Sequence, residues 1–307
     1  MKSLVDKYGR KITSLRISVT NRCNLNCIYC HNEGENKKTK KNKEIAKDTI
    51  AKIVHVATQY GVDKVKFSGG EPLMREDLEE IIIALPALKD VSITTNGVLL
   101  AKRASDLADA GLSRANISLD TLDLNKYNKI TGNKNPNTLS KVIDGIYNAI
   151  DAELTPVKIN MVLLKGINTD EIWNMIDFAK SFKGKLILQL IELMDFKKIP
   201  QYKVNFKEIE KILELHANNI ITRNMHRRKK YLMDGVEVEV VHPIDNSEFC
   251  ANCNRLRITS DGKLKPCLLR NNNLLNISNV SDKEMHDLLK IAVNLREPYY
   301  KPIYGGK

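Results

Sequence analysis

The chain has 307 residues and carries 49 Lys+Arg against 37 Asp+Glu, a net charge of +12. Its 42% hydrophobic and 28% charged content exclude a disordered chain. The longest apolar run, near Ile81–Leu88, is far short of the roughly 20 residues that a membrane span needs.

At roughly 150 residues per domain, the length predicts two domains, or one barrel plus an extension. The charged stretch Met1 to Lys11 has no apolar core of a signal peptide, so the expected compartment is the cytoplasm. A reducing compartment disfavours a disulfide framework for the six cysteines. The positive surplus attracts anions. It concentrates in Lys37–Lys43 and His226–Lys230, both read as solvated loops. Aromatic content of 6% is thin for base stacking, so no nucleic acid is expected as a partner.

Strand and helix signals alternate over the first two thirds. Ser14–Thr20 alternates apolar and polar residues, as a strand does. Ala46, Ile50, Ile53, Val54 and Ala57 then recur at helical spacing. Strands are expected at Asp63–Phe67, Val91–Thr95, Ala115–Leu119, Val157–Leu163 and Leu186–Ile191. The intervening helices are expected at Arg75–Leu85, Leu99–Ala110, Thr138–Ala152 and Asp170–Phe182. Six strands, each reached through a helix, predict a parallel sheet with ligands at the carboxyl ends of its strands. After about Met194 the pattern changes to a helix at Phe206–His216, strand-like pieces at Val236–Val241 and Arg255–Thr259, and a helix at Asp282–Leu295. The expected division is a partial barrel over residues 1–200 and an extension over 201–307.

Cys23, Cys27 and Cys30 give three thiolates in eight residues, directly after the first strand. A [4Fe–4S] cluster ordinarily takes four thiolates, so three leave one iron open to another ligand. Structural zinc with His31 as fourth ligand is the alternative on spacing alone. Gly69-Gly70-Glu71-Pro72 follows the second strand, where two adjacent glycines allow a close backbone approach. Cys250, Cys253 and Cys267 form a second triad, for which a zinc ribbon completed by His242 is the alternative. Just beyond Cys253, Arg255 and Arg257 share one strand face and suit phosphate oxygens. Lys64 and Lys66 alternate in the same way on the second strand.

C-x3-C-x2-C with Tyr29 before the last cysteine, followed by the GGEP turn, resembles the radical S-adenosylmethionine (SAM) superfamily. With Ile117-Ser118-Leu119-Asp120, Lys158-Ile159-Asn160 and the Cys250–Leu268 segment, nearly the whole chain resembles the GTP 3′,8-cyclases of molybdenum cofactor biosynthesis. That resemblance implies an α/β fold: an incomplete (β/α)6 TIM-type barrel whose C-terminal α+β extension carries a second Fe–S cluster. It implies two [4Fe–4S] clusters at opposite ends of one cavity, with Cys23, Cys27 and Cys30 holding the SAM-binding cluster. Cys250, Cys253 and Cys267 would hold the other, near GTP.

Carried over by position, Tyr29, Gly70, Thr95, Ser118, Lys158 and Asn160 line the SAM side. Arg16, Lys64, Lys66, Arg255 and Arg257 face GTP. The implied chemistry is abstraction of the ribose C3′ hydrogen by a 5′-deoxyadenosyl radical, followed by attack on guanine C8. The implied partners are GTP, an external electron donor and a downstream cyclic pyranopterin monophosphate synthase, with a homodimer left open.

Three positions depart from the family pattern. Gln189 stands where many members have Arg, Lys66 stands where Arg is common, and Lys307 follows the terminal Gly305-Gly306. Two other classes compete: a radical SAM enzyme that modifies peptides with an auxiliary cluster, and a zinc-containing nucleic-acid-binding protein.

Overall fold

A computed structural model describes residues 3–35, 44–244 and 246–299. The Lys37–Lys43 run and the Gly305-Gly306-Lys307 tail lie outside the described residues.

The alternating first part forms β1 (Ser14–Ser18), α1 (Lys47–Thr58), β2 (Lys64–Ser68), α2 (Leu78–Ile83) and β3 (Asp90–Thr95). Then come α3 (Ala104–Asp109), β4 (Arg114–Ser118), α4 (Leu124–Thr131), α5 (Thr138–Asp151), β5 (Val157–Leu163), α6 (Ile172–Lys180) and β6 (Leu186–Glu192). The remainder contributes α7 (Phe206–His216), β7 (Asn219–Thr222), β8 (Lys229–Met233), β9 (Val236–Val241) and α8 (Ser247–Ala251). It ends with β10 (Arg255–Ile258), β11 (Lys263–Lys265), β12 (Leu275–Asn276) and α9 (Asp282–Asn294).

Two expected helices are shorter than their apolar spacing suggests, and arginines explain both. Arg75 adopts extended backbone and donates to the carbonyls of Val19 and Ile45, so α2 starts only at Leu78. Arg103 breaks the expected Leu99–Ala110 helix into a 3-10 turn and α3. Its guanidinium is held by Glu79 and by the carbonyls of Leu73 and Arg75. The helix α4 is only eight residues long, and the hairpin β7–β8 sets its apolar residues side by side (Ile220-Ile221, Tyr231-Leu232-Met233) instead of alternating them, so neither announces itself in the sequence.

Among the described residues the twelve strands join one sheet, ordered β12-β11-β10-β1-β2-β3-β4-β5-β6-β9-β8-β7. The six expected strands run parallel in sequence order. The C-terminal segment then adds one parallel strand to each edge, β10 beside β1 and β9 beside β6. Antiparallel pairs close both flanks, which protects the open edges of the parallel sheet.

Residues alternate between the two faces of each strand. On one face Leu15, Ile17, Val65, Phe67, Ile93, Ala115 and Ile117 are buried in the main hydrophobic core, together with the apolar sides of the helices. On the other face Arg16, Lys64, Lys66, Ser92, Arg114 and Asn116 line a cavity of about 510 Å³. The sheet therefore buries its apolar face outward beneath the helices and turns its polar face inward, which a packed barrel interior would not do.

Candidate active site

All six cysteines line this one cavity. The register separates the two triads along it. Cys23, Cys27 and Cys30 follow the carboxyl end of β1. Cys253 precedes β10, whose first residue, Arg255, pairs with Ser14 at the amino end of the parallel β1. β11 runs back along β10, and Cys267 returns to the same end. The triads thus sit toward opposite mouths of the cavity.

Side-chain contacts hold the first loop. The Tyr29 hydroxyl donates to Asp120 Oδ2 at 2.6 Å, and the Val162 amide donates to Asp120 Oδ1 at 2.7 Å. Burial pushes the Asp120 carboxyl up to about 6. Glu71 of the GGEP turn is fully buried and accepts from Leu73 N at 3.0 Å, Thr95 Oγ1 at 2.6 Å and Asn96 N at 2.6 Å. Asn96 in turn reaches Asn24 at 2.7 Å.

The glycine pair answers first to the chain itself. Gly70 N donates to Thr20 O at 2.8 Å, and a Cβ at Gly70 would lie 2.2 Å from the Arg22 carbonyl oxygen. Gly70→Ala should therefore displace the cysteine loop and cost about 1–3 kcal/mol or more. Thermal unfolding of the metal-free protein measures this, and an unchanged midpoint would show that the loop absorbs the methyl.

The two triads meet opposite electrostatics. Burial, followed by the nearby Asp120, pushes the Cys27 thiol far up. Burial also opposes ionisation of Cys253, but Arg296, Arg255 and Arg257 outweigh it and lower its pKa. One of these cations, Arg296, forms a clamp together with Arg10. Asp6 Oδ2 accepts from Arg10 Nε at 2.7 Å and from Arg296 Nη1 at 2.8 Å. Arg10 donates onward to the Cys250 carbonyl at 3.1 Å, and Arg296 to the Cys253 carbonyl at 2.7 Å. The sequence reading missed this clamp.

Between the triads lies a belt of cations. Arg16 aligns with Lys66 on one side and Arg257 on the other. Glu33 lies between two of them: Arg16 Nη2 is 2.5 Å from its Oε1, and Arg257 Nη1 is 2.8 Å from its Oε2. Burial would raise the Glu33 carboxyl, but the two guanidiniums hold it at about 2. Lys66 has no such partner among the described residues. Burial and its neighbours Arg16, Arg255, Arg114 and Lys158 drive its pKa well below the usual lysine range. Arg255 Nε is buried without a partner among the described residues. Burial and the guanidiniums of Arg257 and Arg16 push that group down to about 9.

The far wall holds a second cluster. Glu239 is fully buried and binds Lys158 at 2.6 Å, Arg223 at 2.7 Å and Arg228 at 3.4 Å, with the Gln189 amide donating to its other oxygen. Gln189 thus reaches a carboxylate of its own chain. Lys158 lines the cavity but also turns to Glu239, and burial lowers its pKa to about 8. The reading of His226–Lys230 as a solvated loop is corrected here. His226 is buried, its ring stacked on Phe249 at 3.8 Å, and Arg228 lines the cavity. Buried Glu239, on the next strand of the hairpin, draws the run inward. Gly70, Thr95, Ser118 and Asn160 also line the cavity. Thr95 spends its hydroxyl proton on Glu71.

Residues 17–179 match the family model described as the radical SAM superfamily, and residues 186–302 match the one described as Molybdenum Cofactor Synthesis C. A protein of Methanosarcina mazei named "Probable GTP 3′,8-cyclase" is 57% identical over 98% of this chain and 91% of its own length. One of the same name from Archaeoglobus fulgidus is 46% identical over 97% of this chain and 99% of its own length. The chain belongs to the radical SAM superfamily and, within it, to the GTP 3′,8-cyclase family.

The radical SAM fold is shared with Streptococcus suis SuiB bound to S-adenosylmethionine, at a TM-score of 0.64 and 20% identity, over 98% of this chain and 67% of that one. It is also shared with anSMEcpe with bound AdoMet, at 0.63 and 19%, over 91% and 81%. At such identities the likeness concerns the fold alone.

Membership in the superfamily brings a [4Fe–4S] cluster and SAM. The first triad fits that group. Cys23, Cys27 and Cys30 are free thiols on one cavity wall, and three thiolates leave one iron position for SAM. Among the described residues no group of three or more His, Cys, Asp or Glu is gathered closely enough to hold a single metal ion. A cubane keeps its thiolates farther apart than one ion does.

Proposed function

We propose that this protein converts GTP to (8S)-3′,8-cyclo-7,8-dihydroguanosine 5′-triphosphate, the first step of molybdenum cofactor biosynthesis. One observation carries the reading within this family: a single cavity has a cysteine triad toward each mouth and a belt of cations between them. The first cluster, held by Cys23, Cys27 and Cys30, would supply reductive cleavage of SAM and with it a radical able to take the C3′ hydrogen of a ribose held close by.

The protein's own residues bind and orient. Cys23, Cys27 and Cys30 hold the first cluster, and Tyr29, through Asp120, fixes their loop. Gly70, Thr95, Ser118 and Asn160 rim the SAM side. Cys250, Cys253 and Cys267 hold a second [4Fe–4S] cluster, and the cations around Cys253 favour the thiolate that a cluster requires. Lys66 and Arg255, which have no acid partner among the described residues, receive the triphosphate together with Lys64. Arg16 and Arg257 join them through the N–H groups that Glu33 does not hold, and the Glu33 carboxylate competes with phosphate for the ones it does. An external donor supplies the electron, and a cyclic pyranopterin monophosphate synthase consumes the product.

A peptide substrate fits this cavity less well, because its lining gathers cations in a pattern suited to polyphosphate. Anaerobic incubation of reconstituted protein with SAM, dithionite and GTP tests the proposal. The expected products are the cyclised nucleotide, methionine and 5′-deoxyadenosine, with about eight iron per chain. Iron near four per chain would remove the second cluster. Radical formation without any nucleotide product would overturn the GTP reading.

A further inference from the structure

Buried Glu239 gathers more positive charge than it can neutralise. Lys158 and Arg223 lie within 2.7 Å of its Oε1, Arg228 is 3.4 Å from its Oε2, and Lys230 is 3.9 Å from its Oε1. Lys230 has a closer acid, Glu237, at 2.7 Å. Three cations therefore share one carboxylate on the cavity wall, and Arg228 makes the longest contact of the three. Its side chain is 12% exposed, and its Nε is buried with no partner among the described residues. A guanidinium held at one corner, with a buried N–H unsatisfied, is an unfinished anion site.

The loop that carries it is fixed in place. Arg223 N donates to Arg228 O at 2.8 Å, closing the loop at its neck. His226 and Arg227 both adopt left-handed backbone, with φ of 60° and 52°, a conformation uncommon outside glycine and most costly here for Arg227. The His226 amide donates to the Asn252 carbonyl at 3.2 Å, and its ring stacks on Phe249. The strained turn is thus pinned to the helix that bears Cys250, and Arg223 and Arg228 are presented into the cavity.

We propose that Arg228, seated on Glu239 with Arg223 beside it, is a phosphate-binding residue that fixes the length of the substrate's phosphate chain. This rests on the nucleotide reading above and deepens it. Glu33 offsets only one of the two charges on Arg16 and Arg257, so unmet positive charge lies with that pair, with Lys66 and Arg255, and with Arg228 beside the overcommitted Glu239. A nucleoside has nothing to offer Arg228. A triphosphate, anchored on Lys66 and Arg255, brings its outer phosphates to the Arg228 wall.

The test is anaerobic equilibrium binding of GTP, GMP and guanosine to reconstituted wild-type, Arg228→Gln and Arg228→Lys protein. Wild type should bind GTP far more tightly than guanosine. In Arg228→Gln that ratio should fall roughly ten- to hundredfold while guanosine and GMP affinities hold, because only the contact to the outer phosphates is lost, and an equal fall for GMP would overturn the chain-length assignment. Arg228→Lys keeps the charge without the fork, and its ratio should fall several-fold.

A wild type that binds GTP and guanosine alike sinks the nucleotide reading itself. A wild-type preference for GTP that survives unchanged in Arg228→Gln overturns this inference and leaves the nucleotide reading standing. If Arg228→Gln no longer binds guanosine, the Lys variant decides: a lowered ratio supports the assignment, and an unchanged ratio overturns it.

Discussion

Reconstituted Cys27→Ser protein should make no 5′-deoxyadenosine at all, whereas Cys253→Ser should still make it and yield no cyclised nucleotide. The asymmetry follows from the register, which sets the two triads toward opposite mouths of one cavity. Cys27 belongs to the loop fixed by Tyr29 and Asp120, where SAM must bind for its C5′–S bond to break. Cys253 borders Arg255 and Arg257, to which the proposed function assigns the nucleotide. A C3′ hydrogen displaced by even ~1 Å from its reactive geometry loses about two orders of magnitude in rate. Quantifying 5′-deoxyadenosine and cyclised nucleotide in parallel separates the two roles. Cyclised product at the wild-type rate from iron-loaded Cys253→Ser protein would sink the two-site scheme.

Asp6→Ala should destabilise the fold by about 3–5 kcal/mol, because it leaves the Arg10 and Arg296 guanidiniums buried without their carboxylate. It also takes acceptors from the Tyr8 and Arg10 amides, each 3.0 Å from Asp6 Oδ1. Asp6→Asn keeps the shape and one oxygen, so its loss should be smaller. Urea unfolding of the two variants beside wild type measures the difference. A midpoint shift in Asp6→Ala no larger than that of an ordinary surface substitution would mean that the arginines find other acceptors.

The residues legible in the sequence are those whose chemistry is written locally. The cysteine spacing, the Lys64/Lys66 and Arg255/Arg257 alternations and the GGEP turn each declare themselves within a few positions. The alternating β/α pattern likewise gave six strands in their order. What stayed hidden depends on distant partners. Glu239 meets Lys158 across 81 residues and Gln189 across 50, and Asp6 meets Arg296 across 290. A basic run such as His226–Lys230 looks the same whether it faces solvent or a buried acid. The available clue was Glu237 and Glu239 set among valines in Val236–Val241, since an acid inside an apolar strand needs cations nearby.

The glycine pair illustrates a subtler gap. Its lack of side chains was legible, but the partner pressed against it is the Thr20–Arg22 backbone. The need for small residues is local, whereas the object that approaches them is set by how β1 and β2 pair.

The sheet order also dictates a sequence of events during synthesis. β1 emerges first, yet one of its two neighbours, β10, lies about 240 residues downstream. Until that strand arrives, β1 and β6 present bare hydrogen-bonding edges, and a polar channel stands open along its length. Contacts of such sequence separation form slowly and leave the nascent chain exposed to wrong pairings. A fragment ending near residue 200 would keep both edges bare for good, so it should associate with itself through them. In the complete chain the same C-terminal strands that finish the channel also cap those edges, so assembly of the channel and escape from aggregation become one event.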